Sequence, residues 1–591
     1  MNERNRKGTS LIDLVVSMAI IALLFGGVYL IYFSIVTAIA NIGIRNAAAI
    51  AIQSETETIR NLTYDNIGTI GGIPAGVLKP TQSVTVGRYN FSVQTIVRNI
   101  DDPFDGVLGG TPNDTAPADY KLVSITASCP LCGTNFIPVT VTTTVAPKNL
   151  ESATQDGSIF VSALDANGVG VPGATVNVIN PNVIPSINLT DTTNASGVLE
   201  LVGVPTSTQG YFISVTKPGY SSDRTYPLGG AGNPNPVTPN VTVAAQTVTS
   251  LTLSIDHTSS FAVSTTDNRC NAIPNESFTL KGAKIIGTGP DVLKFSTTTT
   301  TGASGTVALQ NIEWDTYTFS LNDGARDVVG TIPVSPIIVN PSSSQPFRFV
   351  LQNAAEPALL VTVLDAATGA EIPNAHVTLT KGATVLTAVT GHAGITDTDW
   401  SGGNISGQSG GIDTNGTPGS LALLTNPSST YDTGVTSWIT SKTIDLGGSS
   451  STLYAISWNP GSEPSSTGAG SLEFQIAANN DNATWNYIGP DGTAGTFFTT
   501  SGAALPVSLA GNRYLRYQVF MSTQDPSISP TLTDVSFDFS ADCVPQAQTL
   551  FSSLAQGTYS VDVSAGGYAA GSASVSITPG FQSQKILLTH L

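Results

Sequence analysis

The sequence predicts a multidomain chain in which a long N-terminal transmembrane α-helix carries a small α+β head, followed by a series of all-β sandwich modules. Three observations carry this. The segment Leu14 to Ala40 holds no charged residue. From Gly157 onward, short Val/Thr/Ser-rich runs alternate with Gly, Pro, Asn and Asp turns, the pattern of β-sandwiches. Within those runs a fixed order of motifs recurs. The 591 residues suggest about four domains at roughly 150 residues each.

The first eight residues are polar, with Arg4, Arg6 and Lys7 as the only basic cluster, and the apolar stretch after Asp13 exceeds the ~20 residues needed to cross a bilayer. The basic cluster places the start of the chain in the cytoplasm and the remainder outside. A secretory signal peptide has an apolar region of only about 7 to 15 residues and a small-residue cleavage site, so it fits less well. A plain membrane anchor leaves Gly8 and the lone acid Asp13 unexplained, and a carboxylate at the edge of lipid is costly enough to suggest a role. Beyond Ala40, Ile42, Ile44, Ala47, Ala48, Ile50 and Ile52 alternate with Arg45, Glu55, Glu57 and Arg60, which reads as a continuing amphipathic helix.

The run Lys7-Gly8-Thr9-Ser10-Leu11-Ile12-Asp13 resembles the class III leader of type IV prepilins and pseudopilins. The resemblance implies that a prepilin peptidase cuts between Gly8 and Thr9 and methylates Thr9. It also puts Asp13 at the fifth mature position, where the family normally has a Glu that pairs with a neighbouring subunit's terminal amine. The implied partners are other pilins and the peptidase. The implied location is the inner (cytoplasmic) membrane, single-pass with a cytoplasmic N-terminus, and then an extracellular pilus. On this reading the leader is 1–8, the assembly helix 9–61, and a pilin-like head 62–147.

In the head, strand-like runs at Ser83 to Tyr89, Tyr89 to Arg98, Tyr120 to Ser128 and Ile137 to Val145 suit a small antiparallel sheet laid on the helix. Asp101, Asp102 and Asp105 crowd a Gly-containing loop, with Asp114 and Asp119 beyond it. Solvated turn residues are the simpler reading, and calcium is the sharper one, although the spacing is not that of an EF-hand. Cys129 and Cys132 form a C-x-x-C with no second ligand pair for zinc, so outside the cell a local disulfide is expected. Pairing of Cys270 and Cys543 depends on a distance in space and stays open.

The repeated motifs are Ser158 to Asp165, Val171-Pro172-Gly173-Ala174, Asn194 to Gly197 and Tyr211 to Val215 in one copy. Leu360 to Asp365, Ile372-Pro373-Asn374-Ala375 and Thr390 to Gly394 match its first half, and Gly557 to Val563 its second; Ile273-Pro274-Asn275 and Tyr317-Thr318-Phe319 belong to a degraded copy. These resemble carboxypeptidase regulatory-like modules and adhesin B-type repeats. The first-strand Lys that some adhesin repeats use for an isopeptide bond is missing from Ser158 to Asp165 and Leu359 to Asp365. The expected modules are 151–247, a degenerate copy 248–353, and a copy split into 354–397 and 543–591. The intervening 398–542 looks like a discoidin-related jelly roll inserted at a loop tip. Trp485 and Tyr487 are its candidate ligand-facing aromatics, able to stack on a sugar ring, with a core role as the plainer alternative.

Only 11% of residues are charged, against about 25% in an average protein, and the net charge is −18, which excludes a nucleic-acid binder. The four histidines are scattered, so neither a zinc site nor a His-based triad is visible, and no paired catalytic carboxylates stand out. The expected function is therefore not enzymatic. It is a pilin-like subunit, minor or at the tip, that enters a surface filament and displays β modules for adhesion, with surface glycans as one class of ligand. A pseudopilin of a type II-like secretion apparatus and a membrane-anchored carbohydrate-active surface protein are the alternatives.

Overall fold

A computed structural model describes residues 11–132, 136–148, 155–322, 324–414 and 420–591. They form two compact units, one running to His257 and including Ile285–Val292, the other made of Thr258–Lys284 and Leu293–Leu591. The chain is one long apolar helix followed by many β-sheets, arranged as sandwich modules.

In the first unit the helix Leu11–Arg60 has two physical halves. Its side chains from Leu14 to Ile42 are almost all exposed, including Leu23 at 77% and Phe25 at 72%. From Ile44 onward one face is buried: Ile44, Ala47, Ala48, Ala51, Ile52 and Ile59 pack on Phe91, Val93, Val97, Val123 and Ile125 of the head sheet. Each large apolar side chain so covered contributes about 1.5–3 kcal/mol, and the small alanines let the helix lie close to the strands. The helix stops at Arg60, where the Asn61 side chain returns to donate to the Glu57 carbonyl at 2.8 Å. The head sheet runs antiparallel in chain order through Thr81–Val86, Tyr89–Ile100, Tyr120–Ser128 and Val139–Val145.

The first sandwich packs a sheet built on Gly157–Leu164 against one built on Thr175–Asn180 and Ser207–Thr216, around Val161, Val176, Val178, Tyr211 and Ile213. Strand Val248–Ser254, expected in the second module, instead pairs in parallel with Gly157–Leu164. It supplies Leu253 to the first core, so the module boundary moves to about His257. The reason is that a parallel partner for the first strand must return from the far end of the module, a pairing that alternation of residues does not reveal.

In the second unit, the second sandwich has an aromatic core of Phe261, Phe278, Tyr317, Phe319, Phe347 and Phe349, with Phe319 and Phe347 stacked at 3.7 Å. The third is assembled from two distant stretches, and His376–Lys381 pairs with Gly557–Ser564. Between them lies a two-sheet module whose core holds Trp400, Trp458, Phe474, Tyr517 and Phe537. Strand Ala393–Asp397, expected in the split sandwich, pairs with Thr531–Ser540 and belongs to this inserted module. The crossing therefore occurs near Thr390 to His392 rather than after residue 397.

One local device repeats in all three sandwiches. The Pro172-Gly173, Pro274-Asn275 and Pro373-Asn374 turns place their second residue at φ of 66°, 62° and 57°. A left-handed second central residue is what a type II turn requires, and Gly or Asn occupies it at least cost. A buried threonine then accepts from the backbone N–H of the following residue: Thr193 from Ala174, Thr301 from Glu276 and Thr390 from Ala375, at 2.9–3.0 Å. In each sandwich the first and last strands also lie side by side and parallel: Gly157–Leu164 with Val248–Ser254, Ser259–Thr266 with Ser344–Asn353, and Ala358–Asp365 with Phe581–Leu588.

Candidate functional site

The apolar half of the helix is the feature with a direct functional consequence. A helix with this length and a mean hydropathy of 2.6 over its most apolar window is able to cross a membrane, and by the same measure to act as a signal sequence or anchor. Gly8 and Thr9 lie outside the described residues. Asp13 falls in the first turns of the helix, and its side chain is outside the described ones.

The head is tied to the first sandwich through polar contacts made by the second head strand. The Arg98 guanidinium donates from Nε to Asp191 Oδ2 at 2.6 Å and from Nη2 to Asp191 Oδ1. Asp191 is only 1% exposed, and the carboxylate holds the guanidinium pKa above its ordinary value. Beside it, Asn99 Nδ2 donates to the Val202 carbonyl at 2.9 Å, and the Asn188 N–H donates to the Gly71 carbonyl at 2.7 Å. Ile73 inserts into the sandwich core. The first module is thus fixed to the head by a bidentate, largely desolvated ion pair and an apolar anchor.

In the acidic loop, Asp101 Oδ2 accepts from the Leu108 N–H at 2.9 Å, Asp102 Oδ1 accepts from the Phe104 N–H at 3.1 Å, and Asp105 is exposed. Asp101 and Asp102 thus each hold a backbone N–H of their own loop, while Asp101 Oδ1, Asp114 Oδ2 and Asp119 Oδ1 are buried without a hydrogen-bond partner. Among the described residues no group of three or more His, Cys, Asp or Glu side chains is placed to hold a metal ion. Burial, with the neighbouring Asp114, Asp119 and Asp105, raises the Asp101 pKa above its usual value. Cys129 and Cys132 are joined in a disulfide, and Cys129 packs in the head core.

In the inserted module Trp485 and Tyr487 are half-buried. The Arg516 guanidinium lies 4.2 Å from the Trp485 ring centre, so one ring face is already taken. Burial raises the Tyr487 pKa. Arg516 in turn donates to Thr443 Oγ1 at 2.9 Å. This arrangement packs the loop onto the sheet through one face of the Trp485 ring.

Three further relationships are long-range, the first of them a pairing that the sequence leaves open. Cys270 and Cys543 form a disulfide across a separation of 273 residues. His392, where the chain crosses into the inserted module, lies 2.8 Å from Asp538 Oδ2 and 3.0 Å from Asn374 Oδ1 and stacks on Tyr454 at 3.8 Å. Gln548 joins the second and third sandwiches, accepting from the Thr331 N–H at 2.7 Å and donating to Thr362 Oγ1 at 3.1 Å. Each links residues far apart in the chain, and no local motif marks them.

The fold and these contacts define a class: a multidomain all-β chain borne on a single apolar helix. No family model and no curated protein matches the sequence. Among solved structures the chain is similar to the Bacillus anthracis TIE protein, at 12% identity over 86% of this chain and 73% of that one, with a TM-score of 0.15. It is also similar to the shaft pilin SpaA of Lactobacillus rhamnosus GG, at 12% identity over 34% and 98%, TM-score 0.14. A third is GBS52, the minor pilin of Streptococcus agalactiae, at 11% identity over 34% and 98%, TM-score 0.18. At these identities and scores the similarities assign neither a family nor a function.

Proposed function

We propose that this chain is a type IV pilin-like subunit, minor or at the tip, which enters a surface filament through its helix and displays its β modules for adhesion. The observation that carries the reading is the two-part helix: an exposed apolar half from Leu14 to Ile42, continuous with a half that is packed on the head sheet. Such a helix can reside in a bilayer before assembly. Once withdrawn from lipid, it keeps its apolar surface from water only against other copies of the same kind. In that helical core the Asp13 carboxylate needs a cation, and the amine of a processed neighbour beginning at Thr9 supplies one. The bulk of the modules favours a position where they project freely, and the lock between head and first sandwich gives that projection a fixed starting direction. The reading implies no reaction.

The test is assembly in cells. Asp13→Ala leaves the protein in the membrane but removes it from the filament fraction sheared off the surface, and Asp13→Glu restores it. Equal recovery of Asp13→Ala and unaltered protein in sheared filaments would rule the assembly role out.

A further inference from the structure

In the first two sandwiches, which the chain enters at the first strand and leaves at its parallel last strand, that pairing determines how tension crosses them. A chain that enters at the start of one strand and leaves at the end of its parallel neighbour loads the ladder between them in shear, so its hydrogen bonds resist together. Without a cross-link, load reaching the inserted module would cross the ladder between Ser259–Thr266 and Ser344–Asn353 and then pass into the third sandwich.

The disulfide changes this route. Cys270 lies just past the end of Ser259–Thr266, and Cys543 lies just past the end of Thr531–Ser540, where the chain leaves the inserted module. The joint is seated. Arg348 Nη1 donates to the Asp542 carbonyl at 3.2 Å and lies 2.9 Å from Cys543 Sγ. Gly447, at φ 87°, leaves room for the Arg269 carbonyl, which would lie 2.2 Å from any Cβ there.

We propose that the Cys270–Cys543 disulfide is a tension bypass. Load applied to the inserted module runs along Ser259–Thr266, across the disulfide and into Thr531–Ser540. Ser259–Thr266 is then held covalently at both ends, so the ladder of the second sandwich and the whole of the third carry no load. The inference rests on the proposed display role only in taking the inserted module as the loaded end. Force traces on purified protein do not depend on filament assembly, so the two can fail separately.

The experiment is force spectroscopy on the full chain in detergent, with peptide tags in the exposed turns at Gly87 and Gly492 as handles. Folded protein is pulled before and after reduction with dithiothreitol, alongside a Cys270→Ser/Cys543→Ser variant. Reduction and the variant should each add extension steps totalling about 170 residues, ~60 nm at ~3.6 Å per residue, and these should be absent from the oxidised chain. Identical steps in oxidised and reduced chains, free thiols at Cys270 and Cys543 in protein purified under air, or reduced chains whose second and third sandwiches never yield, would each overturn the bypass.

Discussion

Arg98 and Asp191 stand 93 residues apart and form a bidentate pair that joins the head to the first sandwich, with Asp191 almost wholly removed from water. Removing one partner of such a pair leaves the other charge buried and uncompensated, which costs about 3–5 kcal/mol. Arg98→Ala should therefore lower the unfolding free energy of the first unit by about that amount, read from urea titration. Replacing both residues with apolar side chains of similar volume should recover most of the loss. An Arg98→Ala change under ~1 kcal/mol would mean the pair does not hold the joint.

The buried threonines of the repeated turns should behave alike. Thr390→Val keeps the volume but leaves the Ala375 N–H without an acceptor, at a cost of about 1–3 kcal/mol. Thr193→Val should do the same to Ala174. Denaturant melts check both, and a loss at only one site would show that the turns are not energetically equivalent.

The acidic loop of the head predicts a pH dependence. The Asp101 pKa is raised in the folded state by burial and by nearby carboxylates, so the folded chain holds that proton more tightly than the unfolded chain. The resulting stability is fully present below the ordinary value of 3.8 and is lost as pH rises through the raised value. Asp101→Asn, which keeps an acceptor for the Leu108 N–H, should stabilise the head at pH 7 and give no gain near pH 3. A gain of equal size at both pH values would contradict this.

The two halves of the helix should separate on truncation. A chain beginning at Asn41 loses the exposed apolar half but keeps Ile44, Ala47, Ala48, Ala51 and Ile52 against the head sheet. It should run as a monomer on size exclusion without detergent, whereas the full chain should need detergent. Aggregation of the truncated form would point to further unpartnered apolar surface.

Local chemistry made the architecture legible. The apolar run, the Pro-Gly and Pro-Asn turns and the alternating strands each announce themselves within a few residues, and the insertion in the third sandwich followed from its two matching halves. What stayed hidden was long-range pairing. Val248–Ser254 and Ala393–Asp397 alternate like any strand, and only their partners, Gly157–Leu164 and Thr531–Ser540, reveal their modules. Cys270 and Cys543 carry no spacing signal for the same reason. At the candidate sites, composition suggested a cation loop and a stacking face. In the structure Asp101 and Asp102 each accept a backbone N–H and Arg516 lies over one face of Trp485, contacts that composition does not show.

Mass spectrometry of the amino terminus of protein taken from cells decides whether the helix is a processed assembly helix. A processed assembly helix begins at Thr9 with a methylated amine. A chain that begins at an unmodified Met1, or one cut after Ala40, would contradict it.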